Sequence, residues 1–419
     1  MKSKKEAFLS DAFYILGLFG MLLSSMMAAV FPMYSSWIFS MIMLIGIILR
    51  PSKRYFNKIY FQWIMVYLAF FALSSLWALS YTNVLGLILL SLLPILIACI
   101  TTMLYLCNGG TVKTIILVYF ISSMIMMAYV LMHVGEFLEA GRFGSSLNED
   151  SNATEWNANA IGMTLCYGIF AGWILFMGKG KKRLFSFAYL VLTVGILFLI
   201  LMSGSRKVIL MLMIPIMYFA LLKKSKYRVV WITVGIAVMI GGYNLVMNYE
   251  PLYYTMGYRI EELVNILTGH ETGTEDSSRR ELIKYGFEWF QDRPILGYGL
   301  NCYRRLSNAT SMFAGRNFYA HNNYVELLVD VGIVGLLIYY WAYIYIYIKL
   351  RTIILRIGHE DNVLSWGKIL FYILVILDTA LVSYYDFVEC LVICILFYII
   401  YKKEKEIHQA KLKIIKRNN

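Results

Sequence analysis

The feature that most constrains this chain is the recurrence of apolar runs along its whole length. Ala12–Phe31, Ile59–Leu79, Val84–Leu106, Val112–Val134, Leu184–Met202 and Val229–Met247 are examples. Each is close to the roughly 20 residues that a helix needs to cross a bilayer's hydrocarbon. In lipid every backbone N–H and C=O must be satisfied within the protein, so runs of this kind fold as helices. Only 15% of residues are charged, against about a quarter in ordinary globular domains. The expected fold class is therefore all-α. It is a polytopic membrane protein of about twelve transmembrane helices with one long extracytoplasmic loop containing short helices. The first run is expected to be a retained span rather than a cleaved leader.

The runs divide the chain into four parts. Residues 1–247 carry transmembrane helices one to nine. Residues 248–320 form the long loop, 321–401 carry helices ten to twelve, and 402–419 are a basic cytoplasmic tail. Pro94 is the expected kink of the fourth span. The net charge of +13 does not point to nucleic acid, because the basic residues follow the turns. Most of the 38 Lys and Arg lie on the side of the N-terminus and the tail, which the positive-inside rule assigns to the cytoplasm. The long loop, the 135–156 loop and the Ser203–Lys207 hairpin then face outside. The six cysteines do not form a disulfide framework, and Cys390 and Cys394 on one helix face suit packing better than a metal.

The outward polar residues are concentrated between Ser278 and Gly335, with Arg206 upstream. From Arg206 to Leu222, the cytoplasmic end of its helix, the rise is about 24 Å, short of a hydrocarbon core of about 30 Å. A charge at that depth either snorkels or meets an anion. Arg279 to Phe290 reads as an amphipathic helix, with Leu282, Ile283, Gly286, Trp289 and Phe290 on one face. Asp276, Ser277 and Ser278 are its cap candidates, which would put Arg279 in the first turn, where free N–H groups suit a phosphate. The alternative is a solvated arginine. Gly297-Tyr298-Gly299 reads as a turn with close backbone approach and by itself only weakly suggests a phosphate cradle. His321 opens the tenth span beside Asn322 and Asn323, which can hydrogen-bond a ligand. An imidazole there can take a proton from a hydroxyl near neutral pH. Glu326 and Asp330 follow at helical spacing, placed to orient it or to brace arginines. Asp378, in the outer part of the eleventh span, reads as a structural partner of an outer arginine. No H-E-x-x-H, paired-aspartate or Walker motif is present, so neither a metal nor another cofactor is expected.

These residues carry a resemblance. Ser203-Gly204-Ser205-Arg206, then Arg279 with Leu282 and Ile283, then Pro294-Ile295-Leu296-Gly297-Tyr298-Gly299, resemble segments of the O-antigen ligase and O-antigen polymerase superfamily. So does Ala320-His321-Asn322-Asn323-Tyr324 leading to Asp330-Val331-Gly332-Ile333-Val334-Gly335, where Asp330 stands in place of a commoner Glu. Asn157-Ala158-Asn159 looks like the family's Asn-containing segment before a span. The resemblance implies an integral-membrane glycosyltransferase of the bacterial cytoplasmic (inner) membrane, with its active site outside. It would use a polyprenyl-diphosphate-linked glycan donor and a glycan or lipid A core acceptor, inverting and without metal. Arg206 and Arg279 would neutralise the diphosphate, and His321 would orient or deprotonate the acceptor hydroxyl. Arg142, Arg280, Asn159, Tyr298, Asn322 and Asn323 would contact substrate. Membrane lipids, a flippase and a chain-length regulator are the further partners implied.

The residues leave two function classes open: polymerase or ligase on one side, a non-enzymatic transporter of lipid-linked oligosaccharide on the other. Twelve-span transporters commonly repeat one half in the other and carry charge at the midplane. This chain shows no such repeat, and its polar residues gather outside, which favours the enzyme.

Overall fold

The computed structural model describes residues 2–50, 55–133, 157–177, 180, 182–223, 227–268, 274–313 and 315–418. The described residues form helices and no strand. Among the described residues eight helices are long and apolar enough to cross a membrane: Glu6–Met26, Lys58–Leu76, Tyr81–Cys107, Val112–Met132, Ala158–Phe176, Arg183–Met202, Arg228–Asn248 and Asn323–Ile357. The four other expected spans correspond to shorter apolar stretches. These are Ser35–Ile48, Asn362–Leu377, Arg206–Met217 with its π-helical continuation Tyr218–Leu222, and the start of Phe387–Asn418. The last helix runs unbroken into the basic tail. Pro94 follows a π-helical stretch, Ile88–Leu92, as expected where proline disturbs the hydrogen-bond ladder.

The chain forms two compact units. The first takes in residues up to Gly17, Ser36–Thr111 and everything from Glu275. Its core is aromatic. Tyr60, Ile64, Tyr67 and Phe71 recur every three or four residues and form the buried stripe of Lys58–Leu73. Trp63 stacks on Tyr67 and on Phe397, and its indole N–H donates to the Ile338 carbonyl at 3.0 Å. Such rings bury large apolar area while their polar edges need a partner, which the carbonyl supplies.

The second unit covers Leu18–Ser35 and Val112–Thr274. Ala158–Phe176 is its most enclosed helix. A side chain at Gly162 would collide with Ser203 and Val208, and one at Gly172 with Tyr189 and Phe120. These small residues let neighbouring helices approach closely, the usual means of packing where lipid offers no hydrophobic drive.

The loop after Asn248 is largely helical. It holds Tyr258–Leu267, Thr274–Asp292 and Tyr303–Ala309, with shorter turns between. One expectation needs correction here. The Arg279 helix starts at Thr274, so Arg279 lies beyond the first turn, and Asp276–Ser278 are inside the helix rather than capping it.

Candidate active site

The site in the first unit is built around a break in Asn323–Ile357. That helix has 35 residues, a length of roughly 52 Å. It is interrupted at Gly332, whose φ of 63° and ψ of −169° lie in a region essentially reserved for glycine. The break frees two carbonyls and two N–H groups, and the segment after Pro294 takes all four. Tyr298 N–H donates to the Val329 carbonyl at 2.9 Å and Gly299 N–H to that of Asp330 at 2.7 Å. In return Ile333 N–H donates to the Pro294 carbonyl and Val334 N–H to that of Ile295. Gly297, at φ 66°, lies against the Val329 and Asp330 backbone, where a Cβ would not fit. The close approach expected of Gly297-Tyr298-Gly299 is therefore an approach to the protein's own broken helix, and its N–H groups are not left to cradle a phosphate.

Asp330 fixes the next segment. Its buried carboxylate accepts the N–H groups of Asn301 and Tyr303, each at 2.7 Å, and the Tyr384 hydroxyl at 3.3 Å. This holds the start of Tyr303–Ala309. The Tyr303 hydroxyl donates to the Leu282 carbonyl at 2.6 Å, which ties in the Arg279 helix. Leu282 packs with Tyr303, Phe313, Val325 and Val329, so the face read from periodicity is the buried one.

His321 lies at the end of this scaffold. Its φ is 53°, left-handed for a residue with a side chain. The Tyr319 ring lies against the imidazole, centroids 3.9 Å apart, and the Arg304 guanidinium sits over Tyr319 at 5.3 Å. Arg304 also donates to the Tyr385 hydroxyl at 3.1 Å. Burial works against the Arg304 charge, but Tyr385 and Glu326 outweigh it and hold the guanidinium more firmly protonated than usual. Burial pushes the Tyr319 phenol up, Glu326 adds to this, and the charges of Arg304 and Arg279 pull it back. Arg279 thus acts electrostatically on the group that touches His321.

The second unit holds the Arg206 turn. Arg183–Met202 ends at buried Ser203, Gly204 turns the chain at φ 61°, and Arg206 is the first residue of the next helix. The Ser205 hydroxyl donates to the Asn159 side-chain carbonyl at 2.8 Å, and the Asn157 side chain accepts the Asn159 N–H at 2.9 Å. Two stretches far apart in sequence, both singled out from it, meet at this turn. Arg206 itself is partly buried.

The remaining candidates divide by exposure. Arg279 is half-buried and Arg280 exposed. Tyr298 is half-buried beneath the Arg293 guanidinium at 4.7 Å. Asn322 caps the Asn323 helix by accepting the Val325 N–H at 3.1 Å. The ligand role expected of Asn323 needs correction. The residue is fully buried, its amide donating to the Tyr340 hydroxyl at 2.9 Å and accepting the Ser383 N–H at 3.0 Å. The arginine partner expected for Asp378 is also corrected: its buried carboxylate accepts hydroxyls from Tyr340 and Ser383. Arg142 lies outside the described residues. Sequence reasoning missed Arg304, whose only signal was one more arginine in a loop rich in them. Among the described residues no three His, Cys, Asp or Glu gather as metal ligands.

Together these features define a multi-pass α-helical membrane protein in which a loop of short helices brings an arginine helix to a strained histidine. Residues 189–340 match the family model described as O-antigen ligase, a stretch that contains Arg206, Arg279 and His321. Over that stretch, rather more than a third of its length, the chain is similar to the O-antigen ligase and polymerase superfamily, which supports membrane glycan transfer of that type. None of the curated proteins compared matches it.

Proposed function

We propose that this protein polymerises polyprenyl-diphosphate-linked oligosaccharide repeat units into a cell-surface polysaccharide, outside the cytoplasmic membrane. The observation that supports the transfer chemistry, common to polymerase and ligase, is the single family-matched stretch holding Arg206, Arg279 and His321. In the reaction, the acceptor hydroxyl attacks the anomeric carbon from the face opposite the diphosphate. The new C–O bond forms as the bond to the diphosphate breaks, with inversion. His321 takes the hydroxyl proton, and the lipid diphosphate leaves with the electron pair. Arg206 and Arg279 make charge-assisted hydrogen bonds that strengthen as the leaving group gains charge. Arg280, Asn159, Asn322 and Tyr298 are proposed to contact the glycan or diphosphate. No step in this scheme calls for a metal.

The description of the matched family favours a second reading, a ligase that moves finished glycan to lipid A core. One experiment separates them. The purified protein is given the lipid-linked repeat unit of its source strain, with and without lipid A core. Long glycan without the core is the expected result. Glycan found only on the core makes it a ligase, and no transfer in either arm overturns the enzyme reading in favour of a transporter.

A further inference from the structure

The approach to His321 is held more tightly than capping requires. The Asn322 side chain already caps the Asn323 helix through the Val325 N–H. Yet Glu326, one turn into that helix and fully buried, directs a carboxylate oxygen to the Ala320 N–H at 2.7 Å. Its other oxygen, Oε1, is buried and makes no hydrogen bond among the described residues. Burying a carboxylate is costly unless it is compensated. Here the compensation is one main-chain N–H and the field of Arg304, whose charge acts on Glu326 without a close ion pair. A leucine would suit the helix better, so the helix alone does not account for Glu326.

The bond to Ala320 falls immediately before the left-handed residue. A non-glycine residue keeps such a conformation only where its surroundings impose it. Two residues earlier, the Phe318 carbonyl lies 2.9 Å from the Ser307 hydroxyl, which it shares with the Arg304 carbonyl at the same distance. Between Phe318 and Ala320 stands Tyr319, with Arg304 over its ring and the imidazole against it. Phe318, Tyr319 and Ala320 are therefore each held, and His321 follows.

We propose that Glu326 is a positioning residue for His321: by holding the Ala320 N–H it fixes the turn that presents the imidazole, while Arg304 steadies the same turn through the Tyr319 ring. This rests on the reading of His321 as the group that takes the acceptor's proton. Glu326 touches no substrate in this scheme and acts only through the histidine.

The test is a mutant cycle on the full-length purified protein, with the source strain's lipid-linked repeat unit as probe. Glu326→Ala removes the hydrogen bond. Glu326→Asp keeps the charge but is one methylene too short to reach Ala320. Glu326→Gln keeps an acceptor oxygen in place. Misplacing a catalytic group by about 1 Å costs around 10²-fold, so Ala and Asp are expected to lower kcat by roughly 30–100-fold and Gln by less than about fivefold. The KM for the lipid-linked donor should stay within about twofold in all three, because the imidazole and not donor binding is disturbed. In a His321→Ala background, Glu326→Ala should change the residual rate by less than about twofold, since residues acting as a unit are not additive. Full turnover in Glu326→Asp overturns the inference, and so does an undiminished effect of Glu326→Ala in the His321→Ala background. Glu326→Asp serves if Glu326→Ala fails to accumulate in the membrane. A fully active His321→Ala overturns the underlying reading of the histidine instead, which keeps the two failures apart.

Discussion

At the residue scale, Arg279 and Arg280 are adjacent but unequal. Successive side chains on a helix point about 100° apart. Arg279 is half-buried and its charge reaches Tyr319, whereas Arg280 is exposed. Removing one donor that stabilises developing negative charge typically costs about 10²–10³ in rate, the loss expected for Arg206→Ala and Arg279→Ala. Lysine keeps the charge but loses the planar fork, so Arg206→Lys and Arg279→Lys should remain impaired. Arg280→Ala should lose less than either. The check is glycan transfer at matched membrane expression, with donor-lipid binding assayed separately. An inactive Arg280→Ala beside an active Arg279→Ala would reverse the assignment. Much of this was legible in the sequence, because apolar residues three and four positions after Arg279 identify its buried face. Arg304 was not legible: its role comes from Tyr319 and Tyr385, which no local pattern ties to it. Nor was the burial of Asn323, which depends on Tyr340 and Ser383, distant in sequence.

At the element scale, the broken helix organises the site. Gly332 replaces two intrahelical hydrogen bonds with four to the 294–299 segment. A Cβ there would meet the Ile295 carbonyl in a conformation that L residues rarely adopt. Gly332→Ala must therefore either strain the backbone or restore a regular helix, and restoring the helix would release the loop that Asp330 anchors. Backbone strain of this kind costs about 1–3 kcal/mol, and each buried carbonyl or N–H left unpaired adds roughly 1–3 kcal/mol. Gly332→Ala should lose several degrees of thermal midpoint together with most of its transfer activity. Gly195→Ala is the control, since its Cβ would meet open space in a regular helix. It should be neutral or slightly stabilising, as glycine is about 1 kcal/mol poorer than alanine in a helix interior. Equal melting of Gly332→Ala and the wild type would remove the break from the argument. From sequence, the glycine spacing was visible and the break was not. A single glycine in an apolar helix is ordinarily tolerated, and only the tertiary pairing with Pro294–Gly299 opens this one.

At the scale of the whole molecule, the helical class and the order of the spans were legible because apolar length and charge placement are properties of the chain itself. The sidedness of the site rests on the same charges and is open to direct labelling. Ser203 makes a poor reporter, because it is fully buried in its turn. Ser311 and Gln409 are both exposed, one in the long loop ten residues before His321 and one in the basic tail. The native background suits the experiment. Cys99, Cys166, Cys302, Cys390 and Cys394 are buried, and only Cys107 is partly exposed. Burial pushes the Cys302 thiol up to about 11, so in the folded protein it carries almost no thiolate at neutral pH and alkylates slowly. With Cys107 replaced by serine, Ser311→Cys should react with a membrane-impermeant maleimide in intact cells. Gln409→Cys should react only after the membrane is opened. Positive residues are retained on the cytoplasmic side of bacterial membranes, and the tail is among the most basic segments of this chain. Labelling of Gln409→Cys in intact cells, with Ser311→Cys protected, would invert the orientation and put His321 on the cytoplasmic side, where the proposed extracytoplasmic polymerisation could not take place.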